Sequence, residues 1–509
     1  MRGRAANAMP ELTEGGWPGR LDEASHAALV LLTDVLPAVD PDHGATHGLH
    51  PLLDDPATGA LAQVVRERQG VWIGRRQAIG PWPREIQCRE LELDAGDVHS
   101  YDAGHAQQTI WPLYHDLVRP AVHERAWRSA YRRVNKAYAS AAARAAAPGA
   151  TVWVHDFHLQ LVPWYLRRLR PDLRIGFFLH TSFPAATLLE HMPMHEEIVR
   201  GLLGADVVGF QSAPAAENFL RLTHDLPATG DLSTTDEPAA TEALAGVYPL
   251  SVDAGAIAAL AARADIAERA AALRRQLGRP ALIILSLDSA DESYGIERRL
   301  RAIGALYRNR VLQPDQVALI QLVSPSRSSP PDLGGLTGAI AREAARINGE
   351  FASVGRPCLH YVVDTPTLAD RVALYRAADI LLATPLREGA SVPAMEFVAA
   401  ARPDSAVVLS QFTGSSALLA EAFLANPYDD DELRTAVSAA LVADAGERAR
   451  RLRSMREFVR GYDNHAWANV FLSALGAEHR LPEHRSTVRR RSHTGARQRS
   501  PVSTRHRPH

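Results

Sequence analysis

The chain has 509 residues, 46% hydrophobic and 22% charged, with a formal net charge of −2; that length holds two or three domains with sizeable cores. The near-neutral balance gives no electrostatic ground for a nucleic-acid or membrane partner, no apolar run reaches transmembrane length, and the amino terminus lacks the apolar stretch of a signal peptide. Two cysteines, Cys88 and Cys358, argue against a disulfide framework or a cysteine metal site and fit a reducing cytoplasm.

Residues 1–25 are polar and Gly-rich and read as a loose tail. "HAALVLLTDVLPAV" (26–39) reads as a first strand with its exit loop. Strand-like runs recur at "GVWIG" (70–74), "TVWVHD" (151–156), "RIGFFLH" (174–180) and "ADVVGFQ" (205–211), with helical patterns such as 124–147 between them. That alternation predicts a doubly wound parallel sheet. "VYPLSVD" (247–253) closes this half, and an Ala/Arg-rich helix over about 254–277 leads out of it. A second alternation follows through "ALIILSL" (281–287), "QVALIQLV" (316–323), "CLHYVV" (358–363), "DILLAT" (379–384) and "SAVVLS" (405–410). The expectation is an α/β protein with two Rossmann-like domains facing a cleft, over 26–252 and 253–478, the last helix (about 463–476) returning to the first domain. Residues 479–509 are rich in Arg, His, Ser and Pro and read as disordered, a solvated tail rather than a nucleic-acid arm.

Polar residues at successive strand exits converge on a cleft. "WVHDFHLQLVPWYLRR" (153–168) puts His155 and Asp156 where a strand becomes a helix, and "GFFLHTSFP" (176–184) repeats this with His180. Ordinary loop capping accounts for either motif alone equally well. "LLATPLREGASVPAMEFVAA" (381–400) is more specific: a buried strand, a tight turn and a helix start make an anion site from backbone N–H groups. Glu388 sits in that turn and Glu396 further along the helix, where carboxylates suit sugar hydroxyls. "HMPMHEE" (191–197) spaces His191 and His195 as a helical metal pair, but with no third ligand a surface pair is the better reading. The loop 288–295 stands where an α/β protein holds a ligand, yet it offers Asp288, Asp291 and Glu292 and no cation before Arg298.

"VWVHDFHLQLVPWYLRRLRPDLRIGFFLHTSFP", "LLGADVVGFQ", "VYPLSVD", "EAARINGEF", "ATPLREGASVPAMEFVAA", "LSQFTGS" and "NPYDDDE" together resemble the trehalose-6-phosphate synthase family, over about residues 28–475. The resemblance implies a retaining glycosyltransferase of GT-B architecture, without metal or cofactor. It would join glucose from a nucleotide sugar (UDP-glucose or GDP-glucose) to the sugar phosphate glucose 6-phosphate, in trehalose biosynthesis. The leaving diphosphate takes the acceptor proton on the same face, so the protein works by positioning and electrostatic support. Carried over by motif, the catalytic group is Asp156 on the acceptor sugar, His180 on the donor glucose, and Glu388 for the family's Asp on donor hydroxyls. Glu396 matches the ribose-binding Glu, with Ser289, Tyr294 and Ser391 completing the donor side. Trp72, Trp111, Tyr101 and Arg327 fall on the acceptor side.

The departures lie at phosphate contacts. Ser289 and Tyr294 stand for the Arg and Lys that grip the donor diphosphate, Val35 for a phosphate-binding Arg, Asp102 for a Tyr, Ser391 for an Asn, and His47-Gly48 for a Gly-Gly turn. Lys136 is the sole lysine, but drift from lysine toward arginine does not explain Tyr294. A hydrogen bond to a charged group is worth about 1.5–3 kcal/mol, so losing both donor cations removes about 3–6 kcal/mol, or 10²–10⁴ in affinity. Arg75, Arg76, Arg298 and Arg387 are the candidate replacements. The leading reading is therefore a divergent cytoplasmic member of that family. The alternatives are a catalytically silent homologue acting as a partner, as a homo-oligomer or beside an intact paralogue, and a transferase with another donor or an unphosphorylated acceptor.

Overall fold

The computed structural model describes residues 26–37, 56–76, 86–226, 243–325 and 333–476. The expected tails, the turn at His47 and Gly48, and Arg327 lie outside the described residues.

Two sheets, both wholly parallel, organise the chain. The first holds β1 (Ala27–Val35), β2 (Val71–Arg75), β3 (Gln87–Glu90), β4 (Ala146–His155), β5 (Arg174–Phe178), β6 (Val207–Phe210) and β7 (Leu244–Val247). The second holds β8 (Leu282–Ser289), β9 (Val317–Ser324), β10 (Leu359–Val363), β11 (Ile380–Ala383), β12 (Ala406–Ser410) and β13 (Phe423–Ala425). Their orders are β3-β2-β1-β4-β5-β6-β7 and β10-β9-β8-β11-β12-β13. In each, the winding reverses between two central strands: β1 and β4 in the first, β8 and β11 in the second. Ligand crevices of doubly wound sheets open at the carboxyl ends of such strands.

Period-two alternation splits each strand between two cores. Val30 and Leu32 join Val152, Ile175 and Phe177 on one face, while Leu29 and Leu31 join Trp72, Trp153 and Phe178 on the other. The helix Asn464–Gly476 packs on this second face of the first sheet. Phe471 stacks on Trp153 with centroids 4.8 Å apart and planes 9° from parallel, and Trp467 Nε1 donates to the Tyr248 carbonyl at 3.1 Å. Gly176 permits this: a Cβ there would lie 2.8 Å from Phe471 Cε1. Burying such a ring is worth about 1.5–3 kcal/mol.

One expected helix is two. Residues 254–277 form Ala254–Ala261 and Ala264–Gln276, broken at Arg263, whose backbone is extended (φ −67°, ψ 142°). The first buries Ile257 and Leu260, the second Ile266 and Ala270. Alanine packs on any face, so periodicity does not locate the break. His191 and His195 do not share a helix either: the helix His195–Leu202 begins after His191, and His195 Nδ1 lies 3.0 Å from the Met192 carbonyl. Among the described residues no cluster could hold a metal ion, and no helix is long and apolar enough to cross a membrane.

Candidate active site

Both switch points carry the candidate residues. β4 delivers His155 and Asp156, β5 leads to His180, and the turn after β11 holds Glu388. Asp156 has φ 69°, a conformation that costs a non-glycine residue about 1–3 kcal/mol. Its backbone N–H donates to the Phe178 carbonyl at 2.8 Å, and its Oδ1 accepts from the His180 backbone N–H at 3.2 Å. The two strand exits are thus tied together.

The turn at 388–391 closes onto them from the other sheet. A Cβ on Gly389 would fall inside the His180 carbonyl, so only glycine fits this approach. Thr413 Oγ1 donates weakly to Glu388 Oε2 at 3.5 Å, and buried Ser391 is held by its backbone N–H on Ser415 Oγ at 2.8 Å. Burial, and then the charge of Asp288, push the Glu388 carboxyl up to about 8, against hydrogen bonds from Ser391 and Thr413 that lower it. At neutral pH it is mainly protonated and can both donate and accept.

The loop 288–295 is held by internal hydrogen bonds and an ion pair. Asp288 and Arg299 form a buried ion pair, Gln321 Nε2 donates to Asp288 Oδ2 at 2.7 Å, and Arg299 reaches Thr384 Oγ1 at 3.1 Å. Ser289 and Tyr294 stand at the two positions assigned to cations; burial raises the Tyr294 phenol far above its usual range. Asp291 caps the turn that follows, accepting from the Ser293 N–H at 2.9 Å, and also accepts from Trp111 Nε1 at 3.2 Å. Glu292 meets Arg119 at 3.3 Å. Glu396 is 1% exposed and receives Arg371 Nε and Nη2 at 3.0 and 2.9 Å and the Tyr375 hydroxyl at 2.8 Å. Three of its roughly four lone-pair directions are therefore occupied.

Each candidate replacement cation lies against a partner within the protein. Arg75 grips Asp34 through Nε at 3.0 Å and Nη2 at 2.7 Å and also bonds Asp102. Arg76 pairs with Glu90 at 3.0 Å and Arg387 with Asp116 at 3.1 Å. Arg298 lies over the Tyr428 ring, 5.5 Å from its centroid.

Trp72 also departs from its expected place. It is 1% exposed, in the core, with Nε1 donating to Thr33 Oγ1 at 2.7 Å, so it does not line a pocket. Tyr101 is buried behind the acceptor side, its hydroxyl donating to Asp34 Oδ1 at 2.9 Å. Trp111 is half-buried and stacks on His115 at 3.7 Å. Tyr101 and Asp102 ride on a π-helical stretch, Ser100–Ile110, whose wide turns place both beside Asp34.

Sequence reasoning missed His158 and Asp34. His158 Nε2 lies 3.8 Å from Asp102 and 4.0 Å from Asp34. Burial lowers its pKa, but Asp34, Asp102 and Asp156 outweigh this and raise it. Asp102 goes down: burial opposes ionisation, and His158 and Arg75 overcome it. The second His of "HDFH" and the Asp of "TDV" were the available signals. Arg371 left none, since only the fold brings it to Glu396.

Two Rossmann-like parallel sheets, whose strand exits meet at Asp156, His180 and the Glu388 turn, define a GT-B architecture. Residues 63–477 match glycosyltransferase family 20, and the chain belongs to that family. The trehalose-6-phosphate synthase of Mycobacterium avium (strain 104) is 39% identical over 443 residues, covering 82% of this chain and 88% of that one. That of Mycolicibacterium smegmatis is 40% identical over 434 residues, covering 82% and 86%. Among solved structures, the UDP-forming α,α-trehalose-phosphate synthase of Burkholderia vietnamiensis superposes with a TM-score of 0.78 at 27% identity, covering 89% of this chain and 97% of that one. The Burkholderia xenovorans synthase in complex with glucose-6-phosphate gives 0.77 at 28%, covering 88% and 99%.

Proposed function

We propose that this protein transfers glucose, with retention, from a nucleoside-diphosphate glucose to a sugar acceptor held in the cleft. The observation that carries the reading is the junction of Asp156, His180 and the Glu388 turn, tied by the His180 N–H on Asp156 and the fit of Gly389 on the His180 carbonyl. Protonated Glu388 is suited to donor-sugar hydroxyls and Asp156 to an acceptor hydroxyl. In this reading the diphosphate lies at the start of the helix Val392–Ala400, where Pro393 has no N–H and the Ser391 and Val392 N–H groups are bonded to Ser415 Oγ and the Ala390 carbonyl, which leaves the Ala394 N–H to meet it. With Ser289 and Tyr294 in place of cations, this reading leaves the support for leaving-group charge to the helix dipole and that N–H. UDP-glucose or GDP-glucose is the donor in this reading, and glucose 6-phosphate the acceptor.

One observation favours a second acceptor class. Asp34, Asp102, Arg75 and His158 make a cluster whose charges sum to zero when His158 is protonated. It includes Asp34, the neighbour in sequence of Val35, where the resemblance places a phosphate-binding Arg, and its one guanidinium is already shared by two carboxylates. An unphosphorylated sugar suits two carboxylates better than a phosphate does.

The test incubates full-length protein with UDP-glucose or GDP-glucose and either glucose 6-phosphate or glucose, following nucleotide release and the anomeric linkage by NMR. Acceptor-dependent release with an α,α linkage is expected. A higher kcat/KM for glucose selects the second acceptor class. No release with any pair, and no calorimetric heat with either donor at millimolar concentration, overturns the proposal in favour of a silent homologue.

A further inference from the structure

His155 ends β4 and His180 follows β5, so parallel pairing lays the two imidazoles side by side. Their centroids are 5.2 Å apart and their planes 26° from parallel. His155 Nδ1 and His180 Nε2 are 3.0 Å apart. One of these nitrogens must donate and the other accept.

His155 decides which. It is 2% exposed, and burial keeps its imidazole well below its usual pKa, so it is neutral with one N–H. Its other nitrogen, Nε2, is buried without a hydrogen-bond partner. Around the ring stand Trp153, Phe178 and Trp467, with centroids at 4.6, 6.2 and 6.5 Å. The Trp153 indole N–H is itself without an acceptor. If His180 were the donor, the one proton of His155 would sit on Nε2, adding a second orphaned donor to this aromatic cage. Orphaned buried N–H groups are rarer than under-satisfied acceptors. With the proton on Nδ1, His155 donates to His180, and only a lone pair is left facing the rings.

We propose that His155 is a positioning residue that locks His180 in the tautomer protonated on Nδ1. A neutral His180 that accepts at Nε2 must carry its own proton on Nδ1, since the hydrogen bond at one ring nitrogen fixes the state of the other. His180 therefore brings a donor, and no lone pair, to the strand exit it shares with Asp156. Such a histidine can hydrogen-bond a sugar hydroxyl or a leaving-group oxygen but cannot act as a base through Nδ1. The identity of that oxygen rests on the glucosyl-transfer reading; the tautomer does not.

The test uses full-length protein labelled with [15N]histidine and long-range 1H–15N correlation spectra, with His180 assigned from His180→Gln. Nδ1–H at both His155 and His180 is expected. In His155→Phe the His180 signals should move to the Nε2–H pattern that imidazoles favour in water. In His155→Asn, whose amide can donate from the place of Nδ1, they should stay. Where transfer is measurable, His155→Phe should lower kcat about tenfold, the worth of one hydrogen bond. The acceptor KM should move less than twofold, and His155→Asn should recover most of the loss. An Nε2–H on His180 in the unaltered protein overturns the proposal, as does a His155→Asn spectrum showing Nε2–H. If His155→Phe fails to fold, those two spectra still decide. Absence of transfer by the unaltered protein counts against the functional reading alone and leaves the spectra to decide this one.

Discussion

At the mouths of β1 and β8 every carboxylate has its answer. Asp34 and Asp102 share Arg75, and Asp288 is locked to Arg299. The ground between them, at the ends of β4 and β5 and the turn after β11, is different. There Asp156 sits at positive φ and Glu388 holds a proton at neutral pH. Strain and a displaced pKa each raise the energy of the folded state, and at Asp156 and Glu388 they stand together where a ligand can relieve them. The flanks, where phosphates sit in the family resemblance, have settled into ordinary internal ion pairs. A family site can thus keep its sugar-facing centre while its phosphate-facing rims become self-satisfied.

The largest expected effect restores a rim. Ser289→Arg with Tyr294→Lys should raise affinity for UDP-glucose by about 10²–10⁴, read by calorimetry, because each new cation gains a charge-assisted bond of about 1.5–3 kcal/mol. No gain, or turnover by the unaltered protein at an ordinary rate of about 1–10³ per second, would show that the diphosphate finds its support elsewhere.

Next comes the buried pair. Arg299→Leu leaves Asp288 without its counter-charge and should cost about 3–5 kcal/mol in urea unfolding. A loss below about 1 kcal/mol would mean that this rim is not held by its ion pair.

The centre should show itself in pH. Glu388 has its pKa raised from 4.5 to about 8 on folding. Between those values the folded state binds more protons than the unfolded one. Stability from this group is therefore complete below pH 4.5, falls as pH rises by up to about 1.4 kcal/mol per pH unit, and levels off above pH 8. Glu388→Gln should remove that slope. An identical slope in the variant assigns it to another group.

The smallest effect is at the surface link between the halves. Arg119 and Glu292 are 31% and 57% exposed, so Arg119→Ala should cost no more than about 1 kcal/mol. A larger loss would make the cross-cleft contact part of the rim's stability.

Much of the architecture was legible because buried parallel strands leave continuous apolar runs. "ALIILSL" and "DILLAT" are β8 and β11, and the histidines and carboxylates at strand exits are where the alternation placed them. The helix break at Arg263 was not legible, because alanine carries no facial preference. Nor was the burial of Trp72: the residue after Val71 in a short apolar run can face either side until the neighbouring strands are known.

The sequence by itself determined the two strand–helix alternations, the carboxylates and histidines at their exits, and the lack of cations at positions 289 and 294. These are local facts, carried by residue type and spacing. Only the tertiary structure decided how charge is balanced. Arg75 is 41 residues from Asp34, Arg299 is 11 from Asp288, and Arg371 is 25 from Glu396. Such pairs form because the winding order sets β1 beside β2 and β4, and β8 beside β9 and β11. A side chain's partner is fixed by which strands are neighbours, and that order is settled by the packing of whole layers rather than by any one segment.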